Sequence, residues 1–292
     1  MFGILIVSFT MHLRAYAKIN IGLRVLGKRK DGFHDIETLF HRIDLFDELT
    51  LEPADDSISM TGAGLPIPLD EENLCWKAIE LLRTEVGATL GAAVHLDKRI
   101  PVGAGLGGGS SDAAAVLTAL PSLWHRPVDA STLADVALRI GSDVPFFLHN
   151  RSAFAQGRGE QLNFVNLPLP YWILLITPNI HISTKWAYSQ LTGIIGSGRR
   201  LKAFYDGATC TLAPLPALME NDFETVVFAA YPEIAVLKRD LLSGGAAFAL
   251  LSGSGSSVFG LFEKEEAARL AEERFRKKYL VSLTQPNFIP AL

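Results

Sequence analysis

Residues 101–115 read Pro-Val-Gly-Ala-Gly-Leu-Gly-Gly-Gly-Ser-Ser-Asp-Ala-Ala-Ala, and the chemistry they suit is the holding of an anion. Five glycines fall between Gly103 and Gly109, and Ser110 and Ser111 follow where a helix should begin. Glycine loses more chain entropy than any other residue on folding, so such a cluster marks backbone that turns sharply or presses against a ligand. Exposed N–H groups and the positive end of a helix can then seat phosphate oxygens. Pro101, Gly103, Ala104, Gly105, Leu106, Gly107, Gly108, Gly109, Ser110 and Ser111 are therefore the candidate phosphate-binding residues. Ser110 or Ser111 is expected to cap the helix, and Asp112 to lie in its first turn against the dipole.

Three glycine signatures compete for this segment. Gly103, Gly105 and Gly108 satisfy G-x-G-x-x-G. The dinucleotide fold, however, needs a second strand about 20 residues on, ending in an acid. Residues 112–120 and 131–140 read instead as consecutive helices. The P-loop requires lysine where Gly109 stands. Protein kinases require a D-F-G triplet, which the chain lacks. A cradle of a different family remains.

Two further residues could serve phosphoryl transfer, which asks mainly for positioning and charge neutralisation. From Ala15 to Val25 the odd positions are apolar, while Lys18 and Asn20 fall side by side on the other face of the implied strand. Lys18 reads as a cation aimed at a phosphate or as a surface lysine, with the spacing supporting both. Asp143 lies in Gly141-Ser142-Asp143-Val144-Pro145, between a helix end and an apolar run. Taken alone it reads as a turn aspartate; desolvated in a cleft it would be a base.

The elements that must position these residues follow from periodicity. Strands are expected at 15–25, 38–51, 92–100, 171–177, 246–251 and 257–262, with short strands at 146–148 and 153–155. Helices are expected at 73–86, 112–120, 131–140, 220–230, 233–242 and 263–279, the last with a solvated charged face. Residues 53–68 carry turn residues and read as loops or hairpins. Leu167-Pro168-Leu169-Pro170 reads as the connection into a second domain.

Composition bounds the classes. A chain of 292 residues has room for two domains, and 49% hydrophobic with 20% charged residues describes a well-cored protein. A net charge of −4 leaves no basic footprint for nucleic acid. Cys75 and Cys210 form no C-x-x-C pair, as expected of reduced thiols in a cytoplasm, though one disulfide stays open. Histidines never cluster at ligand spacing. Residues 1–9 are too short an apolar run to span a bilayer and lack a basic leader, and so read as a strand extension or as sequence ahead of a start at Met11.

Together these motifs resemble those of the GHMP kinase superfamily, over nearly all of the chain after Met11. Ala17-Lys18-Ile19-Asn20-Ile21-Gly22-Leu23 resembles its first motif, the glycine loop its second and Leu251-Ser252-Gly253-Ser254-Gly255-Ser256-Ser257 its third. Asp31-Gly32-Phe33-His34 and Glu37-Thr38-Leu39-Phe40 resemble the segment with which one branch of the superfamily reads a cytidine. The resemblance implies an α+β, two-domain GHMP kinase fold. A ribosomal protein S5 domain 2-like, ATP-binding and catalytic domain would occupy residues 1–165. A ferredoxin-like, substrate-side domain would occupy 166–292. It also implies ATP-dependent phosphorylation of a hydroxyl on a cytidylyl substrate, in cytoplasmic isoprenoid precursor synthesis, with no nucleic-acid or membrane partner.

The roles it implies agree with the residue chemistry. Asp143 would orient or deprotonate the hydroxyl, and Lys18 would keep Asp143 ionised and stabilise the moving phosphoryl group. Asn20 would lie beside the substrate diphosphate. Phe33, where the family usually carries Tyr, would stack on the cytosine, and His34 would hydrogen-bond it. Tyr188 or the nearby Trp186 would stack from the other side, with Thr184 and Gly255 close by. Leu74 and Lys98 would surround the nucleotide base. Mg²⁺ would accompany ATP, with Ser111 as a ligand. A kinase for homoserine, mevalonate or a sugar, and a nucleotide-binding module without chemistry, are the competing readings.

Overall fold

Long apolar alternation at the N-terminus gives two strands that run through both halves of the architecture. The computed structural model describes residues 9–191, 201–204 and 220–290. Its chain divides into two compact units that interleave: residues 1–15, 46–100 and 108–148 form the first, and 16–45, 101–107 and 149–292 the second. Cys210 and the expectations for residues 1–8 lie outside the described residues.

In the first unit, the start of β1 (Met11–Lys28) and the end of β2 (His34–Ala54) are joined by β3 (Ile58–Gly64), α1 (Leu74–Glu85), β4 (Gly91–Lys98), α2 (Gly108–Leu123) and α3 (Ala130–Ile140). β4 pairs antiparallel with β2, Glu48 opposite Asp97, and parallel with β3, Ile58 opposite Ala92. Within the loops or hairpins expected across 53–68, residues 58–64 form the strand β3, which pairs parallel with β4 and not in a hairpin. Its pairing partner is supplied after an intervening helix, which local turn chemistry does not reveal. Asn73 caps α1 by accepting from the Cys75 N–H at 2.9 Å. Asp129 caps α3 by accepting from the Thr132 N–H at 2.8 Å. The hydroxyl of Ser131 and both bonds from Thr132 hold its carboxyl down at about 2.

Two further expectations are corrected here. Helix α2 starts at Gly108, so Ser110 and Ser111 lie inside its first turn instead of capping it. Asp112 is consequently buried and ion-paired, and does not face the helix dipole in water. Residues 144–148 form a 3-10 turn and not a strand. The Val144 N–H closes back onto the Gly141 carbonyl, and Pro145 has no N–H to give a ladder.

In the second unit, the first half of β2 pairs antiparallel with β5 (Ser152–Gly157), Ile36 opposite Gly157, and β5 turns back into β6 (Gln161–Val165). The Leu167–Pro170 connection leads on to β7 (Trp172–Thr177) inside this same unit. After it come α4 (Thr184–Gln190), α5 (Phe223–Ala230), α6 (Pro232–Ser243), β8 (Phe248–Leu251), β9 (Val258–Phe262), α7 (Glu265–Arg276) and β10 (Leu280–Thr284). The last four strands form an antiparallel sheet in the order β10-β7-β9-β8. That order within a β-α-β-β-α-β path is the ferredoxin-like arrangement. Leu174, Ile176, Phe223, Leu241, Phe262 and Phe275 are among its buried core. Among the described residues no helix is long and apolar enough to cross a membrane.

Candidate active site

Strand β1 places Lys18 and Asn20 on one face, as alternation requires, but that face is not open to water. Lys18 is 4% and Asn20 2% exposed. What covers them is backbone from two glycine-bearing turns. The Lys18 N–H donates to the Leu106 carbonyl at 3.0 Å, and its ammonium donates to the Gly105 carbonyl at 3.0 Å and to Asn20 Oδ1 at 2.6 Å. Asn20 is oriented in turn: its Nδ2 donates to Thr38 Oγ1 at 2.8 Å, and that hydroxyl donates to the Gly22 carbonyl at 2.7 Å. Phe40 lies beneath the ammonium, 5.2 Å from ring centre to Nζ.

The third motif docks on the same place. The Ser252 hydroxyl donates to the Gly105 carbonyl at 2.9 Å, and the Ser257 N–H donates to the Ala104 carbonyl at 3.3 Å. Asn221 Nδ2 fixes this turn by donating to the carbonyls of Leu251 and Gly253, at 2.9 and 2.8 Å. Glycine is obligatory at 105: φ is +77°, and a Cβ there would lie 2.0 Å from the Ser252 carbonyl oxygen. So the first motif, residues 103–106 of the glycine loop and the third motif meet in one hydrogen-bonded cluster. Ser252, Thr38 and Asn221 were not singled out from sequence. Ser252 and Thr38 stood in quoted motifs without a role of their own, and Asn221 fell in an expected helix with no signal beyond its polarity.

The second unit also gathers the aromatic residues. His34 stacks on Tyr188, with 4.7 Å between ring centres and 17° between planes. Tyr188 meets Phe223 edge-on at 4.9 Å, whereas Trp186 meets Tyr231 at 5.6 Å. Tyr188, and not Trp186, is therefore the ring against His34. Phe33 precedes them, 53% exposed. Burial, aided by Lys28, lowers the His34 pKa and favours the neutral imidazole. Thr184 begins α4, its hydroxyl 3.1 Å from that of Ser254, and Gly255 follows with φ of +84°.

In the first unit, the flanks of the glycine loop are tied to buried charge. The Lys98 ammonium is ion-paired with Asp47 and with Asp112 at 2.7 Å. Asp47 Oδ1 also accepts the Ile100 N–H at 2.8 Å, at the point where the loop departs. Burial pulls the ammonium pKa down, but Asp112 and Asp47 outweigh it and leave Lys98 above its ordinary value. Burial pushes the Asp112 carboxyl up, opposed by the paired Lys98 ammonium and helped by Asp47. Asp47 gave no sequence signal, because an acid in a strand reads as solvent-facing until its partners are known. Leu74 also meets the start of α2: its Cδ1 lies 3.6 Å from where a Cβ on Gly109 would be. Ser111 is buried in the first turn, and Asp143 is half-buried after α3.

Among the described residues no group of three or more His, Cys, Asp or Glu side chains could hold a metal ion. The Ser111 hydroxyl is a hard oxygen ligand of the type Mg²⁺ accepts.

Glycine-loop backbone over a strand-borne ammonium, in a unit that also carries a ferredoxin-like sheet, is an arrangement suited to handling phosphate. The GHMP kinases N terminal domain matches residues 73–151 and the GHMP kinases C terminal domain matches 211–280, and the chain belongs to this family. A kinase of this family implies ATP as cosubstrate. The 4-diphosphocytidyl-2-C-methyl-D-erythritol kinase of Chlorobium chlorochromatii is 43% identical over 282 residues, 96% of this chain and 98% of that one. The kinase of the same name from Chlorobium phaeobacteroides is 44% identical over 280 residues, 94% and 97% of the two chains. A crystal structure of 4-(cytidine 5'-diphospho)-2C-methyl-D-erythritol kinase superposes with a TM-score of 0.80 at 35% identity, covering 94% of this chain and 98% of that one.

Proposed function

We propose that this chain transfers the γ-phosphoryl group of ATP to the 2-hydroxyl of 4-diphosphocytidyl-2-C-methyl-D-erythritol, in the cytoplasm, as a step of non-mevalonate isoprenoid precursor synthesis. The observation that carries this reading is the 43% identity, across 282 residues, with a kinase named for that acceptor. The ring cluster of Phe33, His34 and Tyr188 is what the acceptor's cytosine would meet.

In this reading the N–H groups of residues 103–109 and the start of α2 seat the ATP phosphates. Leu74 lines the nucleotide side. The Lys98 ammonium is taken up by two carboxylates, so Lys98 serves the nucleotide by fixing the first turn of α2. Asp143 orients the acceptor hydroxyl and takes its proton as oxygen attacks the γ-phosphorus and the bond to ADP breaks. Lys18 offsets the charge that develops on the transferred group, and Asn20, held by Thr38, borders the acceptor diphosphate. Phe33 and Tyr188 stack on the pyrimidine while neutral His34 hydrogen-bonds its edge, and Thr184 and Gly255 border the acceptor. Mg²⁺, with Ser111 as its protein ligand, would supply charge neutralisation on the phosphates. Residues 1–165 carry the ATP-binding and catalytic groups together with Asn20, Phe33 and His34, and residues 166–292 complete the acceptor side with Thr184, Tyr188 and Gly255.

The test is ADP release measured with three acceptors in parallel: the cytidylyl substrate, homoserine and mevalonate. Turnover with the first alone is expected. Turnover with either of the others in its place would replace this reading with another kinase of the family.

A further inference from the structure

One cation near the aromatic cluster has no part in the reaction as described. The Arg158 guanidinium carbon lies 4.8 Å from the centre of the Phe33 ring. The backbone around Phe33 is fixed independently of that contact. The Arg29 N–H donates to the Phe33 carbonyl at 2.7 Å, and the Phe33 N–H donates to the Asp31 carboxylate at 3.1 Å. The ring is a different matter. It is 53% exposed and has no polar atom with which to fix itself, so core packing does not set its torsions.

Arg158, by contrast, is anchored. It stands at the tip of the β5–β6 hairpin, where the Glu160 carboxylate accepts its backbone N–H at 2.5 Å and lies 3.9 Å from its Nε. In the β2–β5 ladder Gly157 faces Ile36, so the hairpin tip stands beside the first residues of β2 by register alone. A guanidinium brought over a ring face by sheet geometry and tethered by its own carboxylate restricts that ring at small entropic cost.

We infer that Arg158 is a positioning residue for the base site: its cation–π contact holds the Phe33 ring so that the ring's free face is presented to a pyrimidine. This rests on the reading of Phe33 as the stacking residue. The guanidinium acts through the ring and touches neither phosphate nor reacting atoms.

Cytidine and CDP, titrated calorimetrically against the full chain and its variants, separate the possibilities. Arg158→Ala should weaken both ligands by the same factor, about two- to fivefold, as expected of a partly exposed cation–π pair. Arg158→Lys should restore part of the loss. In a Phe33→Ala background, Arg158→Ala should have no further effect. In turnover, KM for the cytidylyl acceptor should rise while kcat and the KM for ATP hold. Weakening of CDP alone would mean that the charge acts on phosphate and would overturn the inference. So would an undiminished effect in the Phe33→Ala background, or no effect at all. If the native chain bound neither cytidine nor CDP, the cytidylyl reading itself would fall, and this inference with it.

Discussion

Lys18 gives its ammonium to Asn20 and the Gly105 carbonyl, so in the proposed reaction the lysine would serve both fold and chemistry. Lys18→Met should lower kcat by about two orders of magnitude or more, the usual scale for a lost group at the reacting centre. It should also lower the melting temperature, because buried acceptors lose their donor. A variant that is merely less stable, with native kcat, would remove Lys18 from the chemistry. His41 makes a second, separate prediction. It is fully buried beside Ser152, and burial lowers its pKa from 6.5 to about 4. Below pH 6.5 the unfolded chain takes up a proton that the folded chain refuses. Stability should therefore fall as pH drops from about 6.5 through about 4, by roughly 3 kcal/mol. Thermal unfolding across that range should show a shallower slope for His41→Asn. An identical slope would mean that other groups carry the acid sensitivity. Of these residues, Lys18 was legible in sequence as a candidate because strand alternation set it beside Asn20. Its burial was not, since the covering backbone comes from positions 105 and 106, 87 residues or more along the chain.

At the scale of elements, the tie between β4 and α2 is a buried charge cluster, and its members are not equivalent. Lys98→Met strands two carboxylates in the interior and should cost about 3–5 kcal/mol in urea unfolding. Asp112→Asn should cost clearly less, because it leaves the Lys98 ammonium its pair with Asp47 and strands no carboxylate. Equal losses from both variants would contradict Asp47 as a sufficient partner for the ammonium. Gly105→Ala tests the neighbouring turn. Its methyl would collide with the Ser252 carbonyl at a φ that L-residues avoid, so both stability and turnover should drop. Native behaviour of this variant in both assays would show that the turn does not need its close approach. The helices expected at 73–86 and 131–140 were legible from apolar periodicity, and Gly141 marked the end of the second. Strand β3 and the true start of α2 were not. The first depends on a parallel partner beyond α1, and the second on glycines that enter a helix despite their low propensity.

For the whole molecule, the chain passes between units after residues 15, 45, 100, 107 and 148. Two of these crossings fall inside the long strands β1 and β2, which contribute residues to both units, a feature that linear composition does not reveal. Within the second unit, Asn20 bonds Ser252, Leu23 bridges Asn221 and Asp44 bonds Thr284. A fragment of residues 1–165 should therefore not unfold cooperatively by itself. A sharp calorimetric transition from that fragment would contradict the interleaving. Motif order along the chain was enough to place it in its family, whereas convergence of the motifs required coordinates. The most direct measurement is ADP release by Asp143→Asn with the cytidylyl acceptor and ATP both saturating. The rate should fall at least about 100-fold while CDP binding and melting temperature stay native; a variant within about twofold of the native rate would contradict Asp143 as the group that handles the acceptor's proton.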